Sequence, residues 1–302
     1  MISSDYIYER ITFQGIGRAE SARKELSTMR EKSGKQVMSV RAGDIDISCE
    51  LYGEGPPLLL IIGLGGVKEM WGSAFVEPLS EDFTVISFDS RGMGGTEPGG
   101  GEFSISLMAS DAANLLGALG IERAHVLGYS MGGYVAQELA LEQPSLVDRL
   151  VLLGTECGGA GGVRVEPGVL IELTGSQGRG TGETSHNFFF SAEWLASNKD
   201  RLHDLFGAPG HGQGHGNAAR QADAMREWNG TCARLPEIGN PTLVITGTRD
   251  IVILPENARV LSELLPHSVL VEMDGGDHGL ILQFPAQLAR IVSDFLLSPP
   301  EI

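Results

Sequence analysis

Gly128-Tyr129-Ser130-Met131-Gly132-Gly133 is the stretch whose reading decides the fold. The residues before it, 125–128, form a short apolar run of strand type, and residues 131–142 carry a helical pattern. Ser130 therefore stands where a strand turns sharply into a helix. Such a turn crowds the backbone, and glycines two residues away on each side relieve it. It also thrusts the serine hydroxyl above the sheet edge, next to the N–H groups and positive dipole end of the new helix. This is the setting a nucleophile needs.

A serine hydroxyl is inert at neutral pH without a base. Seven histidines are available. His278, in Asp274-Gly-Gly-Asp-His278-Gly, follows a strand at 269–273 and so falls at the same carboxyl edge as Ser130. His125 starts its strand and His267 precedes one, which places both at the opposite edge. His186, His203, His211 and His215 lie in a segment without a fixed frame. A carboxylate must hold the tautomer of the base. Asp250, in Gly247-Thr-Arg-Asp250 after a strand at 242–246, meets that need, with Glu156 as its rival. Asp277 adjoins His278 in the chain, which makes a side-on bond awkward. The developing oxyanion calls for two donors. The backbone N–H of Met131 is one, and that of Leu64, in Gly63-Leu64-Gly65-Gly66 after the apolar run at 58–62, is the other.

Outward from this centre, strands alternate with helices. Residues 37–41 and 45–51 read as a β-hairpin, and strands follow at 58–62, 84–88, 125–128, 150–153, 242–246 and 269–273. Helical patterns fall at 69–80, 104–119, 131–142, 256–265 and 285–297. The expectation is an α/β fold, with a mostly parallel sheet covered by helices on both faces. The rhythm lapses for about eighty residues after Gly154, which predicts a helical cap or lid inserted at 157–235 between core segments 37–156 and 236–302. Its apolar residues, including Phe188, Phe189, Phe190, Trp194, Met225 and Trp228, suit either a roof over an acyl pocket or packing of the cap on itself. Residues 1–36 read as an N-terminal extension with a short amphipathic helix over 18–33.

Bulk composition narrows the partners. The 302 residues are 42% hydrophobic and 20% charged, ordinary for a globular enzyme. A net charge of −17 argues against a nucleic-acid partner. No apolar run reaches the ~20 residues of a membrane span, and the N-terminus lacks signal-peptide features, so a cytoplasmic location is expected. Cys49, Cys157 and Cys232 are far apart and odd in number, and imply no disulfide framework. His211-Gly-Gln-Gly-His215 has i, i+4 spacing, but its glycines forbid the helix that would make it a metal site. No metal or cofactor is expected, and the oligomeric state is left open.

Phe88-Asp89-Ser90-Arg91-Gly92-Met93-Gly94-Gly95-Thr96 is similar to the D-x-R-G-x-G-x-S segment of the α/β-hydrolase superfamily, in its esterase, enol-lactonase and perhydrolase-like branch. The run Leu119-Gly120-Ile121-Glu122 before the elbow strand resembles the same branch. Many members carry His-Gly where Ile62-Gly63 stands here. The resemblance spans the chain from about residue 37 to 297, apart from the insertion. It implies a serine hydrolase acting on a carboxylic ester or related small acyl substrate, with the order Ser130, Asp250, His278 expected of the fold. Carbon–carbon bond hydrolysis, perhydrolysis and acyl transfer are the alternatives on the same fold, as is a small-molecule receptor with a slow triad.

Overall fold

A computed structural model describes residues 10–11, 35–163, 186–198 and 215–299. The expected helix at 18–33 and the His211 end of the histidine pair lie outside them. Among the described residues nine strands make one sheet in the order β1-β2-β3-β5-β4-β6-β7-β8-β9. These are β1 Arg10–Ile11, β2 Lys35–Ala42, β3 Ile45–Tyr52, β4 Pro57–Ile61, β5 Thr84–Phe88, β6 Ala124–Tyr129, β7 Val147–Leu153, β8 Thr242–Gly247 and β9 Ser268–Met273. The β2–β3 hairpin is antiparallel, and β3 pairs antiparallel with β5; β4 to β9 run parallel. The two-residue β1 lies parallel to β2, so part of the N-terminal extension touches the sheet.

Both faces of the inner parallel strands β4 to β8 are largely buried, which explains their apolar runs, whereas the edge strand β9 is partly exposed. Side chains alternate strictly between two cores. Leu59, Ile61, Ile86, Val126, Leu150, Leu152 and Val244 join one, under α2 (Ile105–Ala118), α3 (Met131–Glu142) and α7 (Pro255–Leu264). Leu58, Leu60, Val85, Leu127, Val151, Leu153, Leu243 and Ile245 join the other, under α1 (Ser73–Ser80) and α9 (Pro285–Leu297). Each such side chain contributes about 1.5–3 kcal/mol by leaving water. Ser104 caps α2 by accepting the Leu107 N–H at 3.0 Å.

Between β7 and β8 the described residues form α4 (His186–Phe189), α5 (Ala192–Ser197) and α6 (His215–Glu227), with α8 (Leu280–Gln283) following His278. The expectation of no disulfide is corrected here, because Cys157 and Cys232 are bonded. They are 75 residues apart in sequence, yet the chain leaves the sheet after β7 and returns before the neighbouring β8. That narrow neck brings their Cα atoms to 5.0 Å. Cys49 is free and buried, and burial pushes its thiol pKa up to about 12. No helix among the described residues is long and apolar enough to cross a membrane.

Candidate active site

Ser130 ends the elbow between β6 and α3 with φ 55° and ψ −123°, the one non-glycine residue at positive φ among those described. A left-handed-side φ is costly for a side chain with a Cβ, and such residues gather where function requires them. Surrounding bonds impose it. The Ser130 N–H donates to the Leu153 carbonyl at 3.0 Å, and its carbonyl accepts from the Gly133 N–H at 2.8 Å and the Thr155 hydroxyl at 2.8 Å. The flanking glycines are required sterically. A Cβ on Gly128 would lie 2.3 Å from the Gly132 carbonyl oxygen, and one on Gly132 2.0 Å from that of Ile61.

His278 Nε2 lies 3.1 Å from Ser130 Oγ, and its Nδ1 lies 2.8 Å from Asp250 Oδ2. Asp250 and His278 are buried while Ser130 is partly open, so the chain of groups is dry at one end and accessible at the other. The other oxygen of Asp250 accepts the N–H groups of Val252 and Ile253 at 2.8 and 2.9 Å. Those two donors leave Oδ2 aimed at the imidazole. With Nδ1–H donating to the carboxylate, Nε2 faces the serine hydroxyl as an acceptor.

The rival carboxylates are engaged elsewhere. Glu156 accepts from the Tyr134 hydroxyl at 2.9 Å. Asp277 accepts from the Ser191 N–H at 2.8 Å and from Gln283 Nε2 at 2.7 Å. It thereby fastens the loop of His278 to the segment between β7 and β8. The Gly279 N–H adds a second tie, to the Phe189 carbonyl at 2.9 Å. His125 packs edge-on against Phe83 at the far end of β6, and the His267 carbonyl accepts the Thr242 N–H.

Met131 is the first residue of α3, so its N–H is among those that the helix itself leaves unpaired. The loop carrying Leu64 passes beside Ser130: a Cβ on Gly63 would come within 3.0 Å of Ser130 Cβ. Ile62, in place of histidine, is buried in the second core. Behind the loop, Asp89 accepts from the Lys68 N–H at 2.8 Å, from Lys68 Nζ at 2.9 Å and from the Gly95 N–H at 2.9 Å. Burial works against the Lys68 charge, but the Asp89 and Glu69 carboxylates outweigh it and raise its pKa. Asp89 thus braces this loop, a role that the sequence signalled only through its D-x-R-G motif.

Residues that sequence reasoning missed complete the surroundings. The Tyr129 hydroxyl donates to the His278 carbonyl at 2.9 Å, and the Tyr129 ring lies 5.1 Å from the imidazole. Burial, and then the nearby Asp250 charge, raise the Tyr129 pKa, keeping it a neutral donor. The apolar residues of the insertion divide their tasks. Phe189 lies 5.3 Å from the His278 ring, Phe190 stacks on Trp194 at 4.2 Å, and Trp228 stacks on Tyr134 at 4.4 Å. Among the described residues no His, Cys, Asp and Glu cluster could hold a metal ion.

Comparison with known proteins agrees with this architecture. Residues 56–174 match the family model described as the alpha/beta hydrolase fold. "Putative carbamate hydrolase RutD" of Agrobacterium fabrum is 34% identical over 256 residues, covering 81% of this chain and 94% of that protein. Among solved structures, the enol-lactonase from Burkholderia xenovorans LB400 superposes with a TM-score of 0.76 at 24% identity, covering 85% of this chain and 98% of its own. A thermophilic esterase from Thermogutta terrifontis gives 0.75 at 25% identity, covering 86% and 98%. With a sheet of this order and a relative of that identity aligned along four-fifths of the chain, the protein belongs to the α/β-hydrolase fold family.

Proposed function

We propose that the protein is a serine hydrolase that cleaves a small carboxylic ester through an acyl-enzyme on Ser130. The observation that carries this reading is the hydrogen-bonded line Asp250–His278–Ser130, ending on a serine in a strained backbone. His278 Nε2 takes the Ser130 proton as Oγ attacks the substrate carbonyl. Asp250 stabilises the imidazolium and holds its orientation. The N–H groups of Leu64 and Met131 receive the oxyanion; in comparable sites one such donor is worth ~2.7–4 kcal/mol. Collapse of the tetrahedral adduct breaks the ester C–O bond, and the alcohol leaves with the proton from His278. Water, deprotonated by the same imidazole, then releases the acid and restores Ser130.

A carbamate substrate is the second reading, favoured by the name of the Agrobacterium relative. The same attack on a carbamate carbonyl gives a carbamoyl-enzyme. Turnover of aryl esters of increasing acyl length beside matched aryl carbamates, with Ser130→Ala protein as the blank, tests both. Ester turnover that vanishes in the blank supports the first reading, and carbamate turnover in excess of ester the second. No turnover of either class would overturn both.

A further inference from the structure

The segment 63–66 is a type II β-turn. The Gly66 N–H donates to the Gly63 carbonyl at 3.1 Å, which closes the turn. Gly65 has φ +66°, whereas Leu64 is not among the residues at positive φ. Positive φ at the third position alone defines type II. The type I alternative differs by a flip of the central peptide, between Leu64 and Gly65, and a glycine at the third position tolerates both. Something outside the turn must choose.

The Gly65 N–H, which belongs to that central peptide, donates to Gln221 Oε1 at 2.9 Å. Gln221 is fully buried on α6, and its Nε2 faces the Arg91 carbonyl at 3.4 Å, which sets the direction of the carboxamide. The helix is anchored independently. Asn217 Nδ2 donates to the Gly92 carbonyl at 3.0 Å, and the Arg220 guanidinium lies 3.7 Å from the centroid of the Phe103 ring.

We infer that Gln221 is a positioning residue for the oxyanion-binding N–H of Leu64, acting through the Gly65 amide. The inference rests on the proposed role of Ser130, Leu64 and Met131. A flip of the central peptide turns ψ of Leu64 and φ of Gly65 and leaves the Gly63–Leu64 peptide in its plane, so the Gln221 bond acts by tying the whole turn to α6. Without that tie the turn is free to shift as a body, and the Leu64 N–H with it relative to Ser130. Small misplacements of this kind are expensive, because an oxyanion donor acts only at hydrogen-bond distance from the transition-state oxygen. The segment between β7 and β8 therefore does more than cover the site: one of its side chains sets the turn that carries a catalytic donor.

The test uses Gln221→Met, which removes the acceptor and keeps the length of the side chain. Steady-state kinetics with a p-nitrophenyl ester are read beside inhibition by an alkylboronic acid, whose tetrahedral adduct on Ser130 places an oxygen among the donors. Gln221→Met should lower kcat by roughly 10–100-fold with KM within about twofold, and weaken the boronic acid in parallel. If the methionine variant does not fold, Gln221→Ala carries the same expectation. An unchanged kcat or a change in KM alone would overturn the inference. Failure of the wild-type protein to turn over any ester would instead defeat the hydrolase reading on which it rests.

Discussion

The Tyr129 hydroxyl donates to the backbone carbonyl of His278, so the residue before the elbow serine holds the histidine whose Nε2 faces that serine. The two are 149 residues apart in the chain. Tyr129→Phe keeps the ring beside the imidazole but leaves a buried carbonyl without its partner. A loss of about 1–3 kcal/mol in stability is expected. Turnover should fall several-fold while KM holds, because His278 gains freedom and the substrate pocket keeps its shape. Urea unfolding and steady-state kinetics on the same preparation check both effects.

Arg91 is buried and fork-bonded to Asp111, with Nε 2.8 Å from Oδ2, and its Nη2 lies 3.0 Å from Asp44 Oδ1. Burial opposes the guanidinium charge, but bonds to both carboxylates raise its pKa further. Arg91→Ala strands Asp111 in the core and should cost about 3–5 kcal/mol. Arg91→Lys should recover only part, because an ammonium cannot reproduce the fork. Unfolding by urea at neutral pH measures both.

His125 is buried, and its Nδ1 has no hydrogen-bond partner among the described residues; the nearest Asp148 oxygen is 3.5 Å away. Burial lowers its pKa, with Asp148 opposing. The unfolded chain takes up this proton near ~6.5 and the folded chain only at lower pH. Between those values the unfolded state holds more protons, so stability is present above ~6.5 and declines as pH falls through the folded value. Wild-type protein should lose more stability than His125→Leu between pH 7.5 and pH 5. Equal losses in urea midpoint would contradict this account.

Much of the fold was legible because buried parallel strands must be apolar throughout and helices must repeat every 3.6 residues. The helices at 131–142 and 285–297 and the strand at 84–88 coincide with the structure residue for residue. The edge rule narrowed the candidates to groups after strand ends, but it could not separate Asp250 from Glu156, which both qualify. Hydrogen bonds from Val252 and Ile253 to the first, and from Tyr134 to the second, distinguish them, and no local pattern encodes those. The Cys157–Cys232 bond and the Gln221–Gly65 contact were illegible for a related reason. Each joins residues across the insertion, where strand and helix periodicity carries no information about docking.

Cys157 and Cys232 close a loop of 75 residues at the neck of the insertion. Replacing both with alanine should lower unfolding free energy by about 2–4 kcal/mol, chiefly by freeing the unfolded chain. Cys49, buried and with its thiol pKa raised to about 12, should resist a thiol reagent until the protein unfolds. Thiol counting in native and denaturing buffer, with and without reductant, checks the assignment of all three.

The central claim is that Ser130, activated by His278, attacks the substrate. The most direct measurement is the turnover of a short-chain aryl ester by wild-type protein, Ser130→Ala and His278→Ala, each verified as folded. The account expects either substitution to cost on the order of 10⁶ in kcat, and the double variant scarcely more, because the two groups act as a unit. Near-wild-type turnover in Ser130→Ala would contradict it.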